Sequence, residues 1–186
     1  MKRVLVIPLL LLNWCAAATH AQTRPPTNFV DKGACPFECC TYRRWKVVKD
    51  TVAYTRADKN SPRVGTFKRG SWVRGLTGEV RTLTPGKFVI TKPHEKYKPG
   101  DVLWVYTPLG EGFYKVWFKG RMSEQELDLV DGPYESSYPK CDQSPDCWGR
   151  LERELKTEWW VRVKSPAGWI GWTNLTENFG NMDACG

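Results

Sequence analysis

Seven cysteines carry the most versatile chemistry in this 186-residue chain, and six of them, Cys35, Cys39, Cys40, Cys141, Cys147 and Cys185, lie outside an apolar leader that contains Cys15. Such residues can hold zinc, exchange electrons or form disulfides. Zinc thiolate sites usually come as two closely spaced pairs, and Cys141-x5-Cys147 is wide for one of them. Redox chemistry of the thioredoxin kind wants Cys-x-x-Cys at a helix start in an α/β setting, which this sequence does not provide. An even set of cysteines in an exported chain reads instead as structural disulfides. They gather toward the two ends, on either side of a cysteine-free stretch of 100 residues from Thr41 to Lys140. Bridges are therefore expected to tie an N-terminal segment and a C-terminal tail around the middle. Spacing does not choose among the pairings, but adjacent Cys39 and Cys40 are expected to take different partners, because a bridge between neighbours strains the peptide between them.

Hydrolytic chemistry has fewer candidates. The two histidines are His20, in the leader, and His94, between Pro93 and Glu95 in a charged stretch. A cysteine–histidine hydrolase would need a thiol free of disulfide duty. The chain has no glycine-rich phosphate loop after a strand, no His-Glu-x-x-His and no Gly-x-Ser-x-Gly elbow. Glu111, in a Gly-Glu-Gly turn beside a Tyr/Trp strand, is the one carboxylate that suits glycoside hydrolysis, with Asp101 a distant second. The simpler reading of Glu111 is a solvated turn residue. No catalytic residue, metal site or cofactor is expected.

Aromatic rings are the other chemistry on offer. WWVRVKSPAGWIGWTNL, Trp159 to Leu175, places four of the ten tryptophans around a Pro-Ala-Gly turn. Rings give large contact area at low ordering cost, and sugars and proline-rich peptides dock on them. The competing use is core filling in a chain with few leucines, which is the expected role of most of Trp72, Trp104, Trp117, Trp160 and Trp172. The expected surface rings are Trp169, directly after Ala167-Gly168, Trp159, whose neighbour Trp160 must face the other way in a strand, Tyr114 and Tyr134.

The elements that would position these residues are strands. Residues 1–21 combine Lys2 and Arg3, the run VLVIPLLLLNWCAAA, and small Thr19 and Ala21 before Gln22, the pattern of an export signal. The run is shorter than the ~20 apolar residues a membrane span needs, so a soluble periplasmic or secreted product is expected, with an uncleaved anchor as the competing reading. Lipidation of Cys15 is disfavoured by the Leu-Asn-Trp before it. Loss of Lys2 and Arg3 would lower the formal charge from +8 to +6. The basic residues are scattered among acidic ones, with no sustained stripe to track a phosphate backbone, so nucleic acid is not an expected partner.

Beyond a polar lead-in, β-forming runs alternate with turn signals: WKVVKDTVAYTRA, DKNSPRVG, VGTFKRGSWVRG, GEVRTL, Thr84-Pro85-Gly86, KFVIT and Lys98-Pro99-Gly100-Asp101. VLWVYT and FYKVWFKG follow, the latter with large rings on both faces at period two. MSEQELDLV at 122–130 predicts a short helical turn, with Ser123 as N-cap and Glu126 as the capping-box acid. Residues 131–147 read as a surface loop, and WWVRVK and WIGWT as a last hairpin. Asn174 begins an Asn-x-Thr triplet, which inside a strand pair reads as structural. Short strands with glycine-marked turns predict an all-β fold, a small barrel that closes its own edges.

This order of features resembles the bacterial SH3-like (SH3b) domain. The turn-rich RADKNSPRVGTF, the Lys-Arg-Gly-Ser and Lys-Pro-Gly-Asp turns, the aromatic-x-Lys-Val strand FYKVWFKG and its counterpart WWVRVKSPAG, with Arg162 in the lysine position, and the closing Gly-Trp of WIGWT carry the likeness over roughly Trp45 to Leu175. Of the two strand segments only the second ends in the Gly-Trp closure. The expected organisation is a signal over 1–21, a cysteine-containing extension over 22–44, one barrel over 45–175 with an inserted loop at 131–150, and a tail over 176–186. The resemblance implies an exported, non-catalytic binding module for cell-wall or peptide ligands, with peptidoglycan or an envelope protein as partner. The alternatives are an interaction or inhibitor module of an envelope assembly and, at lower weight, a glycan-acting hydrolase.

Overall fold

The computed structural model describes residues 24–127 and 147–185. The expected signal over 1–21, Tyr134, Cys141 and most of the 131–150 loop lie outside the described residues. The described chain is almost wholly β: β1 (Val30–Lys32), β2 (Arg44–Val47), β3 (Thr51–Tyr54), β4 (Arg63–Phe67), β5 (Trp72–Thr84), β6 (Gly86–Ile90), β7 (Val102–Gly110), β8 (Phe113–Phe118), β9 (Arg121–Glu126), β10 (Gly149–Arg153), β11 (Lys156–Lys164), β12 (Ile170–Thr173) and β13 (Phe179–Gly180). A 3-10 turn, Thr176–Asn178, joins β12 to β13. Among the described residues no helix is long and apolar enough to cross a membrane.

The strands form two antiparallel sheets. The first runs β13-β2-β5-β11-β12-β3-β4, with β1 paired to the far end of β5, and curls into half a barrel. Its concave side holds Trp45, Val47, Phe67, Val73, Val161, Val163 and Phe179. The expected all-β fold and terminal disulfides are both present: Cys39–Cys185 joins the N-terminal segment to the tail, and Cys35–Cys40 closes a small loop. Adjacent Cys39 and Cys40 do take different partners. Cys147 is also disulfide-bonded.

Across the successive runs VGTFKRGSWVRG and GEVRTL of the sequence, β5 is one 13-residue strand. Gly75 and Gly78 are used for close approach. A Cβ on Gly75 would stand 2.6 Å from the Trp45 ring, and one on Gly78 would stand 2.6 Å from the Trp159 indole nitrogen. Here glycine makes room for rings beneath a continuous strand.

Between β5 and β11 the chain builds a second sheet, β10-β6-β7-β8-β9, on a core of its own that includes Phe88, Ile90, Leu103, Val105, Val116 and Trp148. The half-barrel thus carries a second sheet, whose strands β6 to β10 lie in the chain between its neighbouring strands β5 and β11. Thr82 Oγ1 donates to the Tyr106 carbonyl at 3.1 Å, and the Lys115 ammonium meets Asp31 at 2.8 Å. These contacts bind β7 and β8 to the first sheet.

One local expectation is corrected. The predicted helical turn at 122–130 begins instead as strand β9, paired with β8 from Phe118↔Arg121 to Phe113↔Glu126. The Lys119-Gly120 turn, both residues at positive φ, has the geometry of a tight hairpin. Once that turn forms, β8 offers a ladder of backbone groups, and pairing outweighs the capping box.

Candidate ligand-binding groove

Strand parity decides which side chains leave the core. In β2, Trp45 and Val47 point inward, so Arg44 and Lys46 point out; in β5, Val73 is buried while Trp72 and Arg74 are exposed; in β11, Val163 is buried and Lys164 exposed. Register then sets these outward residues side by side. Arg44 faces Arg74, and Arg74 faces Lys164, in one row across three strands. The next row pairs Lys46 with Trp72. Strands lie about 4.8 Å apart, so the cation row extends for roughly 10 Å.

Trp72 is 43% exposed, the most exposed of the tryptophans described. The Arg44 guanidinium sits 5.4 Å from its ring centroid, a cation–π contact that holds the fork in place. Together with Tyr42, Arg43, Ser165 and Pro166, these residues line an open groove of about 560 Å³. No Asp, Glu, His or Cys lines it among the described residues.

Behind the groove the disulfide-tied tail fixes Arg43. Its guanidinium donates to the Asn181 carbonyl at 3.1 Å, to Asn181 Oδ1 at 3.0 Å and to the Asp183 carbonyl. The Asn181 amide in turn donates to the Arg44 carbonyl at 2.8 Å. Tyr42 donates its hydroxyl to the Ala34 carbonyl and accepts from the Trp159 indole at 3.4 Å. Burial pushes its phenol above the usual tyrosine range, against a smaller lowering by the Trp159 bond. Tyr42 is therefore a neutral wall, and the electrostatics belong to the cations.

The chain matches no protein-family model, no curated protein and no solved structure.

Of the rings singled out from sequence, the three that are described, Trp169, Trp159 and Tyr114, do not line this groove. Trp169 is half-buried and stacked on Phe67 at 4.6 Å, over Gly65. Trp159 is half-buried between Phe37 at 5.8 Å and Trp45 at 6.4 Å, covered by the disulfide-closed segment. Tyr114 belongs to the second core at 9% exposure. Of the rings expected to fill cores, Trp160 and Trp117 do so, Trp104 and Trp172 are half-buried, and Trp72 stands out in solvent.

The residues considered for hydrolysis are apart from the cation groove. Glu111 is exposed in the β7–β8 turn at φ 49° and, with Glu38 and Glu124, lines a second groove of about 540 Å³. Glu38 also stands near Cys39 and Cys185, but both sulfurs are spent in their disulfide and offer no thiolate to a metal. Asp101 is held below the usual carboxylate range, first by Lys119 at 2.9 Å and then by the Lys98 backbone N–H, in a turn. His94 lies flat on Trp148 at 4.1 Å.

Sequence reading missed Arg44, Arg74 and Lys164 because they are 30 and 90 residues apart and become neighbours only through β pairing. The signal for Trp72 was present: inward Val73 fixes its parity.

Proposed function

We propose that this chain is an exported binding module of the SH3-like kind, holding a cell-wall polymer or peptide without changing it chemically. The observation that carries this reading is the open groove in which Trp72 and a row of three cations face solvent on a rigid sheet. A large exposed ring beside ordered guanidinium groups is suited to gripping a flexible chain. Export is supported by the leader-like residues 1–21 and by the described disulfides, which persist in oxidising compartments. The SH3-like assignment is supported by the β11–β12 hairpin, which carries the WWVRVK strand and the Gly-Trp closure in register, Val161↔Thr173 to Lys164↔Ile170.

The test is sedimentation of the oxidised chain from Gln22 onward with purified, protein-free peptidoglycan, beside a Trp72→Ala variant. The expected result is binding by the parent and at least a tenfold loss in a variant with unchanged circular dichroism. A parent that stays in the supernatant would refute wall binding.

A further inference from the structure

The charge of the groove is not explained by folding. Like charges directly opposite one another across strands destabilise a sheet, and here Arg74 is flanked in register by Arg44 on one side and Lys164 on the other. Some cations elsewhere are paired: Lys68 meets Asp50 at 2.8 Å, Lys87 and Arg150 share Glu152 at 2.7 and 2.8 Å, and Lys119 meets Asp101 at 2.9 Å. Arg44, Arg74 and Lys164 have no carboxylate partner among the described residues. Beside Lys164, Ser165 lines the groove at 7% exposure, and its hydroxyl has no hydrogen-bond partner among the described residues. A row of three like charges in register, with no carboxylate partner among the described residues, describes a surface whose counter-charge comes from outside.

We propose that the groove binds its polymer through the polymer's carboxylates, the acidic groups of peptidoglycan peptide stems, laid along the row Arg44–Arg74–Lys164; this rests on the wall-binding reading above. Arginine forks match carboxylates with two parallel hydrogen bonds, and Arg44 is already oriented by Trp72. A neutral sugar would leave the repulsion along the row uncompensated. A single small anion would answer only part of a row that runs for roughly 10 Å, whereas a chain with repeated carboxylates answers all of it.

The experiment compares the oxidised chain on native peptidoglycan and on peptidoglycan whose carboxyls have been amidated with carbodiimide and ammonia, at 0.05 and at about 0.5 M salt, where screening shortens the reach of exposed charges. Arg74→Glu is the groove variant and Arg121→Glu, on the second sheet, the control. Native material is expected to bind, with at least a tenfold fall on amidation, at high salt and in Arg74→Glu, and no change in Arg121→Glu. Arg74→Glu converts two repulsive neighbours into attractive ones, so its melting temperature should stay level or rise while binding falls. Equal binding to native and amidated material would overturn the carboxylate proposal and leave wall binding standing. Binding to neither would overturn wall binding itself. Full binding by Arg74→Glu would remove the site from this groove.

Discussion

Trp72 and Trp159 show how little the identity of a ring says about its use. Trp159 is sandwiched between Phe37 and Trp45 under a disulfide-closed segment, while Trp72 lies open with Arg44 upon it. Trp72→Ala should therefore leave stability within about 0.5 kcal/mol, as surface substitutions usually do, which a urea titration would check. Gly75 makes the opposite case. A methyl group there would meet the Trp45 ring at 2.6 Å inside the core, and Gly75→Ala should lower unfolding free energy by about 1–3 kcal/mol, read as a lower urea midpoint. Nothing in the sequence singled out Gly75. Only the packing shows that it is the space in which Trp45 sits.

At the scale of elements, the tail and the N-terminal segment behave as one clamp. Cys39–Cys185 spans 146 residues, the Thr41 N–H donates to the Met182 carbonyl at 2.9 Å, and the Ala184 N–H to the Cys39 carbonyl at 2.8 Å. A Cys39→Ser, Cys185→Ser double variant should lose about 2–5 kcal/mol, measured by guanidinium unfolding under oxidising conditions. It should also release Arg43 from Asn181 and Asp183, so that amide exchange of residues 181–185 accelerates. That the terminal cysteines bridge the two ends, and that Cys39 and Cys40 part ways, was readable from spacing. The fate of MSEQELDLV was not, because a local capping signal gave no sign of the β8 edge waiting beside it.

For the whole molecule, Tyr106 marks where the inserted sheet meets the rest. Its side chain is fully buried, its hydroxyl donates to the Pro26 carbonyl at 2.9 Å, and Phe29 packs on its ring at 4.9 Å. Burial pushes its phenol up to about 12, against a smaller lowering by Arg153. An unfolded tyrosine titrates near 10, so the stabilisation is fully present below about pH 10 and fades as pH rises toward 12. Stability should fall over that window by an amount on the order of 2 kcal/mol, and Tyr106→Phe should flatten the fall. A pH series of urea midpoints for both proteins would show it; identical slopes would put the alkaline sensitivity elsewhere.

Alternating apolar residues and glycine-marked turns determined that the chain is β, because the two-residue period of a strand is written into neighbours. Cysteine placement likewise determined that its ends are tied together. The division into two sheets required knowing which strands pair: β5 and β11 are adjacent in the half-barrel although about 70 residues separate them. The cation row was decided at the same level. Arg44, Arg74 and Lys164 are scattered charges along the chain and become one surface only when three strands align in register, since inter-strand hydrogen bonding places side by side what covalent order keeps apart.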